Sequence, residues 1–210
     1  MSDSAITIVD TGIANTASVV AAFGRLGMRC VLTENPDEIK IAEALILPGV
    51  GSFATGMGRL HELGLVKLLQ DRIESGRPTL AICLGMQLLA EASDESTGVQ
   101  GLGVISGRAE RFGADVRTPQ FGWNTVQPSE SFGFADAGYA YYANSYRIVK
   151  APEGWAPAWS DHGGRFVAAL RRGRVLACQF HPELSGTWGL GLLGAWSETI
   201  NADNLESVSC

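Results

Sequence analysis

The chain lacks most of what would mark a protein for a membrane, a nucleic acid or a metal. No apolar run in its 210 residues approaches the roughly 20 needed to span a bilayer. Cations are outnumbered, with 16 Lys and Arg against 22 Asp and Glu. The net charge of −6 makes a basic face for a phosphate backbone an unexpected feature. Histidine occurs only at positions 61, 162 and 181, and the four cysteines (Cys30, Cys83, Cys178, Cys210) form no CxxC pair. A zinc site would need scattered ligands, so neither a metal nor another cofactor is expected. The opening "MSDSAITIVD" lacks the basic and apolar blocks of a secretory signal. That predicts a cytoplasmic protein with free thiols in place of a disulfide framework.

What is present suffices for one sizeable core, since 46% of the residues are hydrophobic and only 18% charged. A single domain over 1–200 is expected, with 201–210 as a frayed tail. "AITIVD" (5–10) reads as a strand, and "TASVVAAFGRLG" as a helix with Val19, Val20, Phe23 and Leu26 at helical spacing. "MRCVLT" is the next strand, and Pro36 opens a short helix. "EALILPGVGSF" begins as a buried strand that breaks at Pro48-Gly49-Val50-Gly51, and one long helix is predicted over 53–75. Then come "TLAI", a cysteine, and a helix from about Leu84. This alternation predicts an α/β fold whose mostly parallel sheet is covered by helices on both faces.

Beyond Gly101 the pattern changes to short strands that predict a mixed or antiparallel half. They are "GLGVIS", "FGWNTVQP", "AYYANSYRIV", "RFVAAL" and "RVLACQF", the last two joined by a hairpin at Arg171–Arg174. "SGTWGLGLLGAWSETI" has apolar residues at helical spacing, though its four glycines weaken the pattern.

Three places in this layout can carry chemistry. Cys83 falls at the C-terminal end of a central parallel strand, the edge where open α/β sheets bind ligands. The N-terminus of the following helix favours a thiolate there, and Gly85 allows the close approach of a nucleophile elbow. A thiol that merely fills space at a strand end fits the same position. His181 ends an apolar strand, and Pro182 forces it into extended backbone. Glu183 then projects on the same side, as the orienting carboxylate of a nucleophile–base–acid triad does. A strand-end histidine beside a solvated glutamate is the plainer alternative. His61 reads as a surface residue and His162 as a turn cap. "PGVGSF" (48–53) can supply backbone N–H groups that form an oxyanion hole with that of Leu84, or can be an ordinary glycine turn.

Taken in order, "PGVG", "ICLGMQ" and "FHPE" resemble the class I (triad) glutamine amidotransferases. With "IVDTGIANTASV", "ICLGMQLLAEASDES", "GLGVISG", "FGWN", "NSYR" and "FHPELS", the likeness runs along nearly the whole chain. It points to the branch that supplies ammonia for histidine biosynthesis. The resemblance implies a flavodoxin-like three-layer fold. It also implies that Cys83 attacks the side-chain amide of glutamine, His181 passes a proton to the leaving ammonia, and water hydrolyses the thioester. Glu183 would hold His181, and the backbone at Gly49, Val50 and Gly51 with Leu84 would stabilise the oxyanion. Gln87, Ser145 and Tyr146 match substrate-holding positions. Gln120, Trp123, Asn124, Tyr141 and Leu184 match the ammonia exit and partner interface. The partner implied is a (β/α)₈-barrel cyclase in a heterodimer, with no nucleic acid and no membrane.

The chain departs from that pattern at several positions. The histidine usual ahead of "GWN" is missing at Gln120-Phe121, and the "VHSY"-type segment reads Ala143-Asn144-Ser145-Tyr146. Leu184 stands where a basic residue usually follows HPE, and Ala81 stands where a glycine is usual two before the cysteine. The other readings are a paralogue feeding a different barrel synthase, a catalytically silent interaction subunit, and a stand-alone cysteine hydrolase. A glutaminase that feeds a partner should be slow alone and quicken with it, with the PGVG glycines as the hinge of an oxyanion switch.

Overall fold

The computed structural model describes residues 5–12 and 14–200; the expected tail, with Cys210, lies outside them. The first half alternates as read: β1 (Ile6–Val9), α1 (Thr16–Arg25), β2 (Cys30–Thr33), α2 (Pro36–Ile41) and β3 (Ala44–Gly49). Next come α3 (Phe53–Glu62), α4 (Val66–Glu74), β4 (Thr79–Cys83) and α5 (Leu84–Leu88). The second half is mainly strands: β5 (Ala90–Ser93), β6 (Ile105–Arg111), β7 (Gln120–Pro128), β8 (Gly138–Asn144) and β9 (Tyr146–Arg147). It closes with β10 (Ala156–Asp161), β11 (Arg165–Arg172), β12 (Val175–Cys178), a 3₁₀ turn at Pro182–Leu184, and α6 (Gly186–Glu198).

Nine strands form one sheet in the order β2-β1-β3-β4-β12-β11-β10-β7-β8. The first five run parallel, and from β11 on each neighbour is antiparallel. The parallel part has the doubly wound order in which ligands sit beyond the strands' carboxyl ends. Every residue of β3 and β4 is buried, as expected of strands covered on both faces. Alternation sends Ile46, Leu80 and Ile82 toward one core with Phe23 of α1 and Trp196 of α6. It sends Leu45, Leu47 and Ala81 toward the other, with Met57 of α3 and Leu69 and Ile73 of α4. A smaller sheet, β5-β6-β9, stands apart.

Beneath the strands' N-terminal edge, Arg72 of α4 is buried without a carboxylate. It donates to the carbonyls of Ala42, Glu43 and Pro78 and to the Thr79 hydroxyl, tying α4 to the starts of β3 and β4. Burial, with Arg77 nearby, lowers its pKa to about 9.

Four expectations need correction. The single helix over 53–75 is two, parted by a Schellman turn in which Leu65 N–H donates to Leu60 C=O and Gly64 N–H to His61 C=O. Gly64 supplies the left-handed residue that turn requires, at φ +67°. The helix after Cys83 lasts five residues. Leu102, Gly103 and Ile105 donate to the carbonyls of Leu88, Ala90 and Leu89, so Ala90–Ser93 pairs as β5 with β6 instead of continuing the helix. "AYYANSYRIV" is two strands parted at Ser145. Strand β10 is additional, lying between β11 and β7; Pro157 hides it, because proline inside a run argues against a central strand.

Candidate active site

Strands β3 and β4 end side by side, with Gly49 opposite Cys83 in register. Cys83 has φ +54° and ψ −110°, and among the described residues it is the one non-glycine with positive φ. Such backbone costs about 1–3 kcal/mol and persists only where its surroundings over-determine it. Here they do. A Cβ on Gly85 would run into the carbonyl oxygen of Leu47, and one on Gly49 would lie 2.9 Å from Leu84 Cβ. The elbow is therefore seated directly on the backbone of β3. As the first residue of α5, Leu84 has an N–H with no acceptor inside its own helix.

His181 arrives from β12, the strand beside β4, and its backbone is extended (φ −98°, ψ +94°), as Pro182 demands. Its N–H donates to Tyr141 C=O at 2.9 Å, and its carbonyl accepts from Ser185 Oγ at 2.6 Å. Nδ1 lies 2.8 Å from Oε1 of Glu183, and both side chains are buried. Burial pulls the imidazole pKa down, but hydrogen bonds and charge from Cys83 and Glu183 outweigh it and push it up to about 10. The ring, placed between a sulfur and a carboxylate, is thereby biased toward its protonated form.

A cavity of about 250 Å³ opens at this point. Val50, Gly51, Cys83, Leu84, Gln87, Ser145, Tyr146 and His181 line it, together with Glu95, Ala143 and Asn144. The structure thus gathers most of the nucleophile, base, oxyanion and substrate candidates around one amino-acid-sized space, with Gly49 in register behind Cys83. Gln87 Nε2 donates to Tyr146 C=O (3.1 Å) and to Gln179 Oε1 (3.0 Å), while Gln179 Nε2 stands 3.8 Å from the Cys83 sulfur.

Two residues here escaped the sequence reading. Gln179 is fully buried within the apolar run "LACQF", and a polar residue inside such a run was the available signal. Glu95 caps the helix that follows the PGVG loop: Phe53 N–H donates to its Oε2 at 2.6 Å, and Ala54 N–H donates to Ser96 Oγ at 3.2 Å. No local pattern marks it.

Beside the cavity, one face of the β7–β8 pair is aromatic and open. Trp123 faces Tyr141 across the strands, ring centroids 6.2 Å apart, and Phe121, Trp123 and Tyr139 are 70%, 58% and 62% exposed. Val50 and Leu184 are also exposed. Phe121 and Tyr139 were not among the interface candidates. Two that were do not reach this face, because side chains on β7 alternate. Gln120 is buried, and Asn124 spends its Nδ2 on Asp161 C=O at 2.7 Å.

Cys30, Cys83 and Cys178 are free thiols. Among the described residues no cluster of three or more His, Cys, Asp or Glu could hold a metal ion, and no helix is long and apolar enough to cross a membrane.

Comparison with known proteins places the chain in a family. The sequence profile of glutamine amidotransferase class-I matches residues 7–189. The chain is 41% identical over 205 residues to imidazole glycerol phosphate synthase subunit HisH of Lactiplantibacillus plantarum, covering 95% of this chain and 98% of that one. It is 39% identical over 203 residues to the protein of the same name from Exiguobacterium sibiricum, covering 97% and 100%. It is also 41% identical over 199 residues to imidazole glycerol phosphate synthase hisHF, chloroplastic, of Arabidopsis thaliana, covering 91% of this chain but 34% of that one. Among solved structures, a crystal structure of a glutamine amidotransferase superposes with TM-score 0.76 at 22% identity, covering 93% of this chain and 98% of the other. That likeness concerns the fold.

Proposed function

This chain belongs to the class-I glutamine amidotransferases, and from that premise we propose that it hydrolyses glutamine and hands the ammonia to a (β/α)₈-barrel cyclase that makes imidazole glycerol phosphate in histidine biosynthesis. The observation that carries the chemistry is the line of three groups: Cys83 on a strained elbow, His181 lining the same cavity, and Glu183 Oε1 at 2.8 Å from His181 Nδ1.

The roles follow from that line. With the proton on His181, the Cys83 thiolate adds to the side-chain amide carbon of glutamine and forms the C–S bond. The carbonyl electron pair moves onto oxygen, where the Leu84 N–H and the backbone of Gly49–Gly51 receive it. As the tetrahedral adduct collapses, the C–N bond breaks and His181 gives its proton to the leaving nitrogen, which departs as ammonia. Now neutral, His181 takes a proton from water, and the hydroxide oxygen attacks the thioester carbon. The C–S bond breaks, glutamate leaves, and the thiolate–imidazolium pair is restored. Glu183 stays ionised throughout and keeps the ring oriented. Gln87 and the Ser145-Tyr146 backbone hold the amino-acid end of the substrate.

Two facts support the partner. Two relatives that match end to end are named as synthase subunits, and the Arabidopsis relative is a chain about three times longer that bears the joint name hisHF. The open aromatic face beside the cavity is a surface for such a partner. The intact triad speaks against a silent interaction subunit.

The test is glutamate release by the purified chain, alone and with the cyclase and its nucleotide ligand. Release should be slow alone and strongly stimulated in the complex. In Cys83→Ala it should fall by a factor on the order of 10³ or more while cyclase binding persists. Unstimulated release beside a competent cyclase would point to another synthase.

A further inference from the structure

Two arginines at the base of the large sheet share one acceptor. Arg72 Nη1 donates to Ala42 C=O at 2.8 Å, and Arg77 Nη2 donates to the same oxygen at 2.6 Å. Two guanidinium ions are thereby brought close together, one of them only 3% exposed. Among the described residues neither has a carboxylate partner; their remaining bonds go to carbonyls and to the Thr79 hydroxyl. Like charges so near repel, and enclosure strengthens the repulsion. Arg77 accordingly adds to burial in holding the Arg72 pKa down. The end of α2 explains one cation, since arginine can bind the last carbonyls of a helix, and Arg77 Nη1 does so at Lys40 C=O, 2.7 Å away. The second guanidinium requires another reason.

A cavity of about 500 Å³ opens against this pair, at the opposite end of β4 from Cys83. Arg72 and Arg77 line it together with Lys40 and Lys67. Asp71 is the one acid among the lining residues, and Lys67 Nζ already engages it at 2.7 Å. Four cations thus meet one anion, in a chain whose net charge is −6. Donors are also left over. A guanidinium has five N–H groups and Arg77 uses two, so three remain, and the Lys40 ammonium bonds nothing among the described residues. A planar fork beside an ammonium suits a phosphate group. The volume is in the range of small-molecule sites and exceeds what a bare phosphate fills. No aromatic ring is among the lining residues for a base to stack on, whereas Ser75 and Asp71 offer acceptors for hydroxyl groups. We propose that this cavity binds a sugar phosphate, its phosphate held by Arg77, Arg72 and Lys40 and its hydroxyls by Ser75 and Asp71. The ligand supplies the counter-charge that the arginine pair lacks, and binding only the folded chain it raises the melting temperature.

The test is titration calorimetry of the full chain in a chloride buffer of fixed ionic strength, free of phosphate and sulfate. The probes are ribose 5-phosphate, ribose and inorganic phosphate. Ribose 5-phosphate should bind saturably and more tightly than inorganic phosphate, ribose should give no binding heat, and the melting temperature should rise with ribose 5-phosphate alone. Arg77→Met should weaken binding tenfold or more. Lys40→Met should weaken it several-fold; that side chain is exposed and bonds nothing in the protein, so the variant keeps its fold even if Arg77→Met does not. Inorganic phosphate binding as tightly as ribose 5-phosphate overturns the sugar phosphate in favour of the free anion. A parent chain that binds neither probe overturns the proposal outright and leaves both arginines as caps on carbonyls. Binding that persists unchanged in Lys40→Met and Arg77→Met does the same, because the probe then sits elsewhere.

Discussion

Burial alone would lower the pKa of His181, yet its neighbours raise it. The opposing pull comes from two named groups, so it can be taken apart. In Cys83→Ala the hydrogen bond and charge of the sulfur vanish while the enclosure remains. The ring should then titrate well below about 10, as followed by NMR of its carbon-bound protons; a value that stays put would assign the whole effect to Glu183. The same shift bears on stability. The folded chain holds the His181 proton more tightly than the unfolded chain, whose histidine titrates near 6.5. The pair's contribution to stability is thus complete below about pH 6.5 and fades as pH rises toward 10; Cys83→Ala should flatten that decline in denaturant melts. At this scale the clustering of Cys83, His181 and Glu183 was legible because each sits where a strand ends and a proline or glycine dictates the backbone. Gln179 and Glu95 were not. Their contacts reach across 96 and 42 positions of sequence, and only the finished sheet brings those positions together.

At the scale of elements, two glycines do different work and should fail differently. Gly64 closes the Schellman turn at positive φ, and a Cβ there would touch nothing within 4 Å. Gly64→Ala should therefore cost stability alone, about 1–2 kcal/mol by urea denaturation, and leave glutamate release intact. Gly85 has ordinary helical backbone, but its missing Cβ is what lets the elbow rest on Leu47. Gly85→Ala must displace α5 and with it the sulfur and the Leu84 N–H, lowering glutamate release on the order of 10²-fold. Parallel losses in both assays for both variants would contradict this division. The parallel strands were readable because burial on two faces leaves continuous apolar runs. The short α5 was not, because "LGMQLLAEAS" keeps helical periodicity while the 101–105 segment claims its backbone. Tertiary pairing decides that contest, and it leaves no local mark.

For the whole molecule, the informative surface is the uncovered side of β7 and β8. Helices close both faces of the parallel half, yet Phe121, Trp123 and Tyr139 stand open beside the cavity. Trp123 and Phe121 should anchor the cyclase, and alanine at Trp123 should weaken the complex by about 2 kcal/mol, measured by titration calorimetry. Because the ring is more than half exposed, the melting temperature of the isolated chain should barely move. Undiminished affinity in both alanine variants would place the docking surface elsewhere. "FGWN" announced this face, but only the register of β7 with β8 shows which of its residues look outward.

The order of the strands in the large sheet also has a consequence in time. Cys83 ends β4 and His181, its proposed proton partner, follows β12, which lies beside β4 although almost a hundred residues separate them in sequence. A chain emerging from the ribosome can finish β1 to β4 and the elbow while β12 is still unsynthesised. Until β12 is in place beside β4, the thiol has no imidazole near it, so on the proposed mechanism an incomplete polypeptide should not hydrolyse glutamine. The threading of the sheet makes the last central strand to be synthesised the one that brings the histidine.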